Sequence, residues 1–175
     1  MRIAGCQFAS TNRIRDNLER IHDMVCSASS QNVELVCFHE CALCGYPPIE
    51  TSMDALEEKE IARALAEVAA MAASSHISIL VGTVLIEDGQ KYNSALVYSP
   101  AGRLIARYDK KALWGWDRDH FVSGNKSGLF EINGIRIGMR ICYDIRFPEL
   151  FRELYKEKVN LCIVPFSDTS DQPDL

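Results

Sequence analysis

The sequence lacks the features of several common functional classes. Basic residues are not in excess, because 24 acidic side chains outnumber 19 basic ones and give a formal net charge of −5. Phosphate binding needs a surplus of lysine and arginine, so this charge disfavours a nucleic-acid partner. No apolar run approaches the roughly 20 residues that a membrane-spanning helix requires, and we expect no membrane partner. Internal repeats and low-complexity tracts are also missing.

Cysteine, by contrast, is plentiful. The chain has seven cysteines, an odd number. The stretch 1–8 is too short and too strand-like for a secretion signal, so we expect no export. Together these features predict reduced thiols in a cytoplasmic setting, not a disulfide framework.

The composition is that of an ordinary globular protein, with 47% hydrophobic and 25% charged residues in a chain of 175. We therefore expect residues 1–175 to form a single domain. Hydrophobic periodicity predicts an α/β fold with a mixed sheet. Strands are predicted at 2–8, 33–38, 77–87, 91–98, 103–108, 128–132, 135–141 and 159–165, helices at 13–28, 53–74 and 147–156, an irregular segment at 109–125, and a poorly ordered tail at 167–175.

The segment 138–150 is the most informative stretch. A β-branched, apolar run ends at Cys142, and a Pro-Glu-Leu helix start follows at once. A cysteine between a buried strand and a helix has rigid support and faces the positive end of the helix dipole, which favours a thiolate. The alternative is a small buried hydrophobic residue, which is a common role for free cysteine.

Two further polar residues share the position of Cys142 just beyond a predicted strand. Glu40 follows the strand 33–38, and Lys110 follows the strand 103–108. Side chains at strand ends can meet in the crevice above one edge of a sheet. An acid, an ammonium and a thiol together indicate covalent acyl chemistry, with Glu40 as base, Cys142 as nucleophile and Lys110 stabilising an oxyanion. A surface location for Glu40 and Lys110 is the alternative.

Three motifs around these residues resemble those of the nitrilase superfamily, the carbon–nitrogen hydrolases. They are Phe38-His-Glu-Cys-Ala-Leu-Cys-Gly-Tyr46, Tyr108-Asp-Lys-Lys-Ala-Leu113 and Ile141-Cys-Tyr-Asp-Ile-Arg-Phe-Pro-Glu-Leu150. The register of the second motif selects Lys110 over Lys111. The resemblance extends to about Phe166.

The resemblance implies an αββα sandwich, usually assembled into dimers or higher homo-oligomers, and a Glu-Lys-Cys triad that needs no cofactor and no metal. It implies hydrolysis of a small linear amide through a cysteine thioester, with Lys110 and the backbone N–H of Tyr143 holding the oxyanion. The Cys-Tyr-Asp continuation resembles the amidase and carbamoylase branches and disfavours a nitrile. Arg146-Phe-Pro-Glu149 resembles the omega-amidase-like group, whose substrates are small amides that carry a carboxylate. A nitrile or an N-carbamoyl compound is the alternative substrate.

The sequence departs from the family in two places. Where the family often has a second glutamate, Asp117 is the nearest acid, and we interpret it as a residue of the substrate or oxyanion site, with a solvated surface acid as the alternative. Family domains also usually run to roughly 250 residues or more, so part of the usual domain is expected to be missing. This predicts exposed sheet edges, association, and weak or absent activity. A non-catalytic binding or assembly module is therefore a second function to test.

Other side chains offer competing interpretations. Cys37, His39, Cys41 and Cys44 have some of the ligands of a zinc site but not its usual two separated pairs. His39 or His120 can be the base of a Cys-His hydrolase. Arg146 can bind a substrate carboxylate or form an ion pair with Glu149 or Glu153. For Trp114, Trp116 and Phe121 we expect packing against the domain ahead of a role in a pocket.

Overall fold

The computed structural model describes residues 1–167 as two β-sheets packed face to face, with helices on both outer sides. Eight strands and four helices lie in the described range. The strands are β1 Ile3–Cys6, β2 Leu35–Phe38, β3 Ser78–Glu87, β4 Gln90–Tyr98, β5 Leu104–Asp109, β6 Leu129–Ile132, β7 Ile135–Met139 and β8 Leu161–Ile163; the helices are α1 Ile14–Ser29, α2 Glu58–Ser75, α3 Asp117–His120 and α4 Pro148–Lys156. The tail predicted to be poorly ordered, 167–175, lies outside this range except for its first residue.

The first sheet has five strands in the order β1-β2-β3-β4-β5. β1, β2 and β3 are parallel, and β4 is antiparallel to both β3 and β5. β5 therefore runs in the same direction as β2, so the residues that follow these two strands lie at the same edge of the sheet. The second sheet has the order β6-β7-β8.

Two hydrophobic layers hold the fold together. One lies between the five-stranded sheet and helices α1 and α2, and the other lies between the two sheets. Helix α4 covers the outer side of the three-stranded sheet, where Gly138 lies against Leu154. The layers are thus helix, sheet, sheet, helix, and the predicted αββα sandwich is confirmed.

Local sequence accounts for most elements. Ile14, Leu18, Ile21 and Val25 of α1 are all buried at helical spacing. The Asp88-Gly89 and Asn133-Gly134 pairs have positive φ at both residues, as two-residue hairpin turns require. No helix within residues 1–167 is long and apolar enough to cross a membrane.

Three details of the predicted secondary structure are wrong. The strand expected to be buried near the N-terminus, β1, lies at the edge of its sheet and is partly exposed. The helix predicted over 53–74 is divided into a 3-10 turn at Met53–Ala55 and helix α2, because Leu56 is extended between them. Helix α3 interrupts the segment 109–125, which was predicted to be irregular.

Candidate active site

Glu40 lies in a tight turn directly after β2 and is only 2% exposed. The next residue, Cys41, has a φ of 53°. Strand β3 passes under this turn at Gly82, where a Cβ atom would lie 2.3 Å from the His39 carbonyl oxygen and 3.0 Å from the Glu40 Cα. The missing side chain of Gly82 therefore lets the strand and the turn that carries Glu40 come into contact.

Lys110 follows β5 and is 1% exposed. Its backbone N–H donates to the Asn93 carbonyl oxygen of β4 at 2.8 Å, which continues the sheet by one residue. Its Nζ lies 2.9 Å from Glu40 Oε1 and 2.7 Å from Asp117 Oδ2. One buried ammonium thus joins two buried carboxylates.

Asp117 is the first residue of α3 and is fully buried, so the alternative of a solvated surface acid is wrong. While Oδ2 accepts from Lys110, Oδ1 accepts a 2.6 Å hydrogen bond from the Tyr46 hydroxyl. Both carboxylate oxygens are occupied by protein groups, which indicates that Asp117 orients Lys110. Its direct contact with a substrate stays a prediction.

Two donors besides Lys110 hold the Glu40 carboxylate. Asn93 Nδ2 donates to Oε1 at 2.8 Å, and the backbone N–H of Ser167 donates to Oε2 at 3.0 Å. Burial nevertheless raises the pKa of Glu40 above its ordinary value, although Lys110 and the hydrogen bonds act in the opposite direction. A raised pKa suits a group that must both accept and return a proton.

Cys142 opens a 3-10 turn that spans Cys142–Arg146 and has a φ of 44°. Its N–H donates to the Pro165 carbonyl oxygen at 3.0 Å, so the residue is tied to the chain just beyond β8. Positive φ is uncommon for a residue with a Cβ and persists only where surrounding contacts impose it. Such conformations cluster at functional sites.

The thiol of Cys142 lies beside the Glu40 carboxylate. Burial, and then the negative charge of Glu40, raise the pKa of Cys142 to about 12, while Lys110 lowers it. The expectation that a helix N-terminus favours a thiolate here is wrong, because α4 begins only at Pro148, after the 3-10 turn. The raised pKa favours the neutral thiol, which would have to lose its proton before it could act as a nucleophile.

Lys110 keeps its charge in this site. Burial disfavours the ammonium, but the charges of Glu40 and Asp117 outweigh burial and raise the pKa of Lys110 above its ordinary value. A proton transfer from Cys142 to Glu40 would leave the net charge of the cluster unchanged, because the negative charge would move from the carboxylate to sulfur.

The site lies between two sheets, which corrects the expectation of a crevice above one sheet edge. Glu40 and Lys110 extend β2 and β5 of the five-stranded sheet, whereas Cys142 follows β7 of the three-stranded sheet. Tyr143, the residue after the thiol, is partly buried, and its ring packs edge-on against Phe147 at 5.4 Å. Its proposed role through the backbone N–H stays a prediction.

The residues of the competing interpretations have other partners. Cys41 and Cys44 are buried in the layer beneath α1 and α2, whereas Cys37 packs in the layer between the sheets. Within residues 1–167, no group of three or more His, Cys, Asp or Glu side chains converges with metal-binding geometry. His39 Nε2 contacts Ser10 Oγ at 2.8 Å, and His120 Nδ1 contacts the Trp116 carbonyl oxygen at 2.9 Å.

The remaining candidates lie on the surface or in the core. Arg146 is exposed, and Glu153 pairs instead with Lys111 at 2.8 Å and Arg140 at 3.1 Å. Phe121 is buried and Trp116 packs against the same core, as expected. Trp114 is 53% exposed, so its predicted packing is wrong.

Sequence reasoning missed two side chains of the site, Asn93 and Asp144. The sequence signal for Asn93 is weak, because Asn93 and Ser94 follow the polar Gln90 and Lys91 in a strand whose apolar run is confined to 95–98. Asp144 was noted only as part of a motif. Its carboxylate is fully buried beside the turn that carries Cys142.

Comparison with known proteins shows the family of the chain. The carbon-nitrogen hydrolase family model matches residues 2–174, and the chain belongs to this family. The "Hydrolase in pqqF 5′ region" of Pseudomonas protegens is 33% identical over 156 residues, which cover 87% of this chain and 54% of that protein. The "Deaminated glutathione amidase" of Synechocystis is 27% identical over 184 aligned positions, covering 95% of this chain and 66% of the relative.

Solved structures give the same result. An amidase from Nesterenkonia sp. superimposes with a TM-score of 0.90 at 26% identity, covering 98% of this chain and 66% of the amidase. A mutant of that amidase carries the acetamide moiety of fluoroacetamide covalently on its active-site cysteine. The present chain thus spans between about half and two thirds of the length of these relatives.

Proposed function

We propose that this chain carries the active site of an amidase, which hydrolyses a small linear amide to a carboxylate and ammonia or an amine. The observation that carries the proposal is the buried Lys110 ammonium, held within 3 Å of Glu40 and of Asp117, beside the thiol of Cys142. An acid, a cation and a nucleophile in contact are what covalent acyl transfer needs.

The reaction begins with proton transfer from the Cys142 thiol to Glu40. The thiolate attacks the amide carbon, and the C=O electron pair moves to oxygen. The resulting oxyanion lies near the Lys110 ammonium and the Tyr143 backbone N–H, which stabilise charge that develops only at this stage. This order explains why Cys142 does not need a low pKa in the resting site.

Glu40 acts again in the second half of the reaction. It gives its proton to the nitrogen of the leaving group as the C–N bond breaks, and a thioester on Cys142 remains. Glu40 then takes a proton from water, and the hydroxide attacks the thioester carbon. Collapse of this second intermediate expels sulfur, which takes back the proton held by Glu40, and releases the product acid, which ionises to the carboxylate. One carboxyl group thus serves as base, acid and base, and the final return of its proton restores the resting site.

The same proposal covers assembly and compartment. Ile145 and Tyr155, which lie just before and on α4, are 54% and 84% exposed, and Phe166 beyond β8 is 45% exposed. Covering these side chains would favour association of two copies. All seven cysteines are free, which fits a reducing cytoplasmic compartment. Light scattering across a concentration series tests the proposed association.

The proposed activity is tested by ammonia release from a panel of short amides, amides with a distal carboxylate, N-carbamoyl compounds and nitriles. We expect weak turnover with amides, because the chain spans only part of the length of its relatives, and loss of this turnover in Cys142→Ala and Glu40→Gln. Preference for nitriles or N-carbamoyl compounds would move the chain to another branch of the family. No turnover by the folded protein with any of these compounds would support a non-catalytic module.

A further inference from the structure

Asp144 joins the two halves of the proposed site. Its carboxylate is fully buried and accepts three hydrogen bonds of 2.8 Å. Oδ2 accepts from the backbone N–H of Ile141 and from the hydroxyl of Tyr108, and Oδ1 accepts from the backbone N–H of Ala112. Ile141 directly precedes the nucleophile, so one carboxylate contacts the segments of both Cys142 and Lys110.

The positions of these donors make the arrangement specific. Tyr108 lies two residues before Lys110 and Ala112 lies two residues after it, so Asp144 binds the chain on both sides of the lysine. Lys110 belongs to the edge of the five-stranded sheet, whereas Cys142 extends the three-stranded sheet. The two sheets contact each other through apolar side chains. Apolar packing is non-directional, whereas hydrogen bonds to a carboxylate are directional.

We infer that Asp144 is a positioning residue that sets the separation between the Cys142 thiol and the Lys110 ammonium. It acts through Ile141 on one side and through Tyr108 and Ala112 on the other. The inference rests on the proposed function, because the separation has a catalytic meaning only if Lys110 stabilises charge developed by attack of Cys142. Arg140, whose guanidinium lies 5.0 Å above the Tyr108 ring, is committed elsewhere, since it donates to the Leu150 carbonyl oxygen.

The central variant is Asp144→Asn. A carboxamide has nearly the shape of the carboxylate but only one acceptor oxygen, so its NH₂ group must face either the Ile141 N–H or the Ala112 N–H. At least one of the two segments is then released. Tyr108→Phe is the milder variant, because it removes one of the three donors and keeps the ring. Tyr98→Phe, in the other core layer, is the matched control for a buried tyrosine.

Two measurements report on the separation. The first is kcat and KM for an amide substrate. The second is the rate at which iodoacetamide alkylates Cys142 at a fixed pH, followed on the Cys142 peptide by mass spectrometry so that the other six cysteines do not interfere. Thermal unfolding is recorded alongside, because a merely structural role would change only the melting temperature.

We expect kcat of Asp144→Asn to fall about 10- to 100-fold with KM within about threefold of wild type, as for a displacement near 1 Å. Alkylation of Cys142 should slow about tenfold, because the thiolate loses its nearby cation. In Tyr108→Phe, kcat and the alkylation rate should each fall a few-fold, and Tyr98→Phe should match wild type in both.

A folded Asp144→Asn with wild-type kcat and wild-type alkylation would overturn the inference, whatever its melting temperature. If Asp144→Asn does not fold, Tyr108→Phe decides, and its equality with Tyr98→Phe in both measurements would overturn the inference. Absence of amide turnover in the wild type would refute the proposed function alone. Slower alkylation of Cys142 in both variants would then still support the positioning role of Asp144, and unchanged alkylation would contradict that role.

Discussion

Replacing Gly82 with alanine tests how closely the site depends on the contact between β3 and the turn that carries Glu40. The new Cβ would lie 2.3 Å from the His39 carbonyl oxygen and 2.7 Å from the Cys41 nitrogen, whereas ordinary contact begins at 3.4 Å. Both opposing atoms belong to the backbone, so the turn must retreat by about 1 Å, since close-packed interiors leave no spare room. Glu40 would move with it, away from Lys110.

Two effects should follow, and both can be measured. A misplacement near 1 Å costs about 100-fold in kcat/KM for an amide, measured as ammonia release. Overpacking should lower the free energy of unfolding by about 2 kcal/mol, measured by urea denaturation.

Gly5→Ala is the matched control, because Gly5 lies in β1 of the same sheet and a Cβ there meets nothing within 4 Å. We expect the control to keep its activity and its stability to within about 1 kcal/mol. A Gly82→Ala protein that is as active and stable as Gly5→Ala would refute the argument.

Four further predictions concern charge and burial. Because the pKa of Glu40 is raised, the acid limb of the pH profile of kcat/KM should lie above the ordinary glutamate value of 4.5. Activity should fall along this limb as Glu40 is protonated, and Glu40→Gln should abolish turnover. By linkage, the protonated carboxyl favours the folded state, so wild-type stability should decrease as pH rises from 4.5 through the Glu40 pKa, and urea titrations should show a weaker decrease in Glu40→Gln. Asp117→Ala should cost about 3 kcal/mol and at least tenfold in kcat, because Lys110 loses one of its two buried partners; unchanged kinetics would contradict the orienting role. Arg140→Met should cost about 3 kcal/mol in thermal unfolding, because the buried carbonyl oxygen of Leu150 loses its donors; a wild-type melting curve would contradict this.

The three residues of the proposed triad could be predicted because each lies within three residues of the end of a strand. A strand can be identified in a single sequence as a short apolar run, and so can the polar residue that follows it. The choice of Lys110 over Lys111 needed the family motif. The structure explains this choice physically, because Lys110 is buried between two carboxylates whereas Lys111 pairs with Glu153 on the surface.

The supporting residues could not be placed from the sequence. Asn93 and Glu40 are separated by 53 positions, and their contact depends on the order of strands in the sheet. The three donors to Asp144 come from two sheets whose relative position is a property of the whole fold. The partial exposure of β1 likewise depends on its edge position, which its apolar composition does not reveal.

The central claim is that Cys142 forms a thioester with the acyl group of an amide while Glu40 supplies and removes protons. Rapid mixing with an amide, acid quench and intact-mass measurement test it directly. We expect an adduct equal in mass to the acyl group on the wild-type chain, mapped to the Cys142 peptide, and no adduct on Cys142→Ala. An adduct that persists in Cys142→Ala, or amide turnover by that variant, would contradict the account.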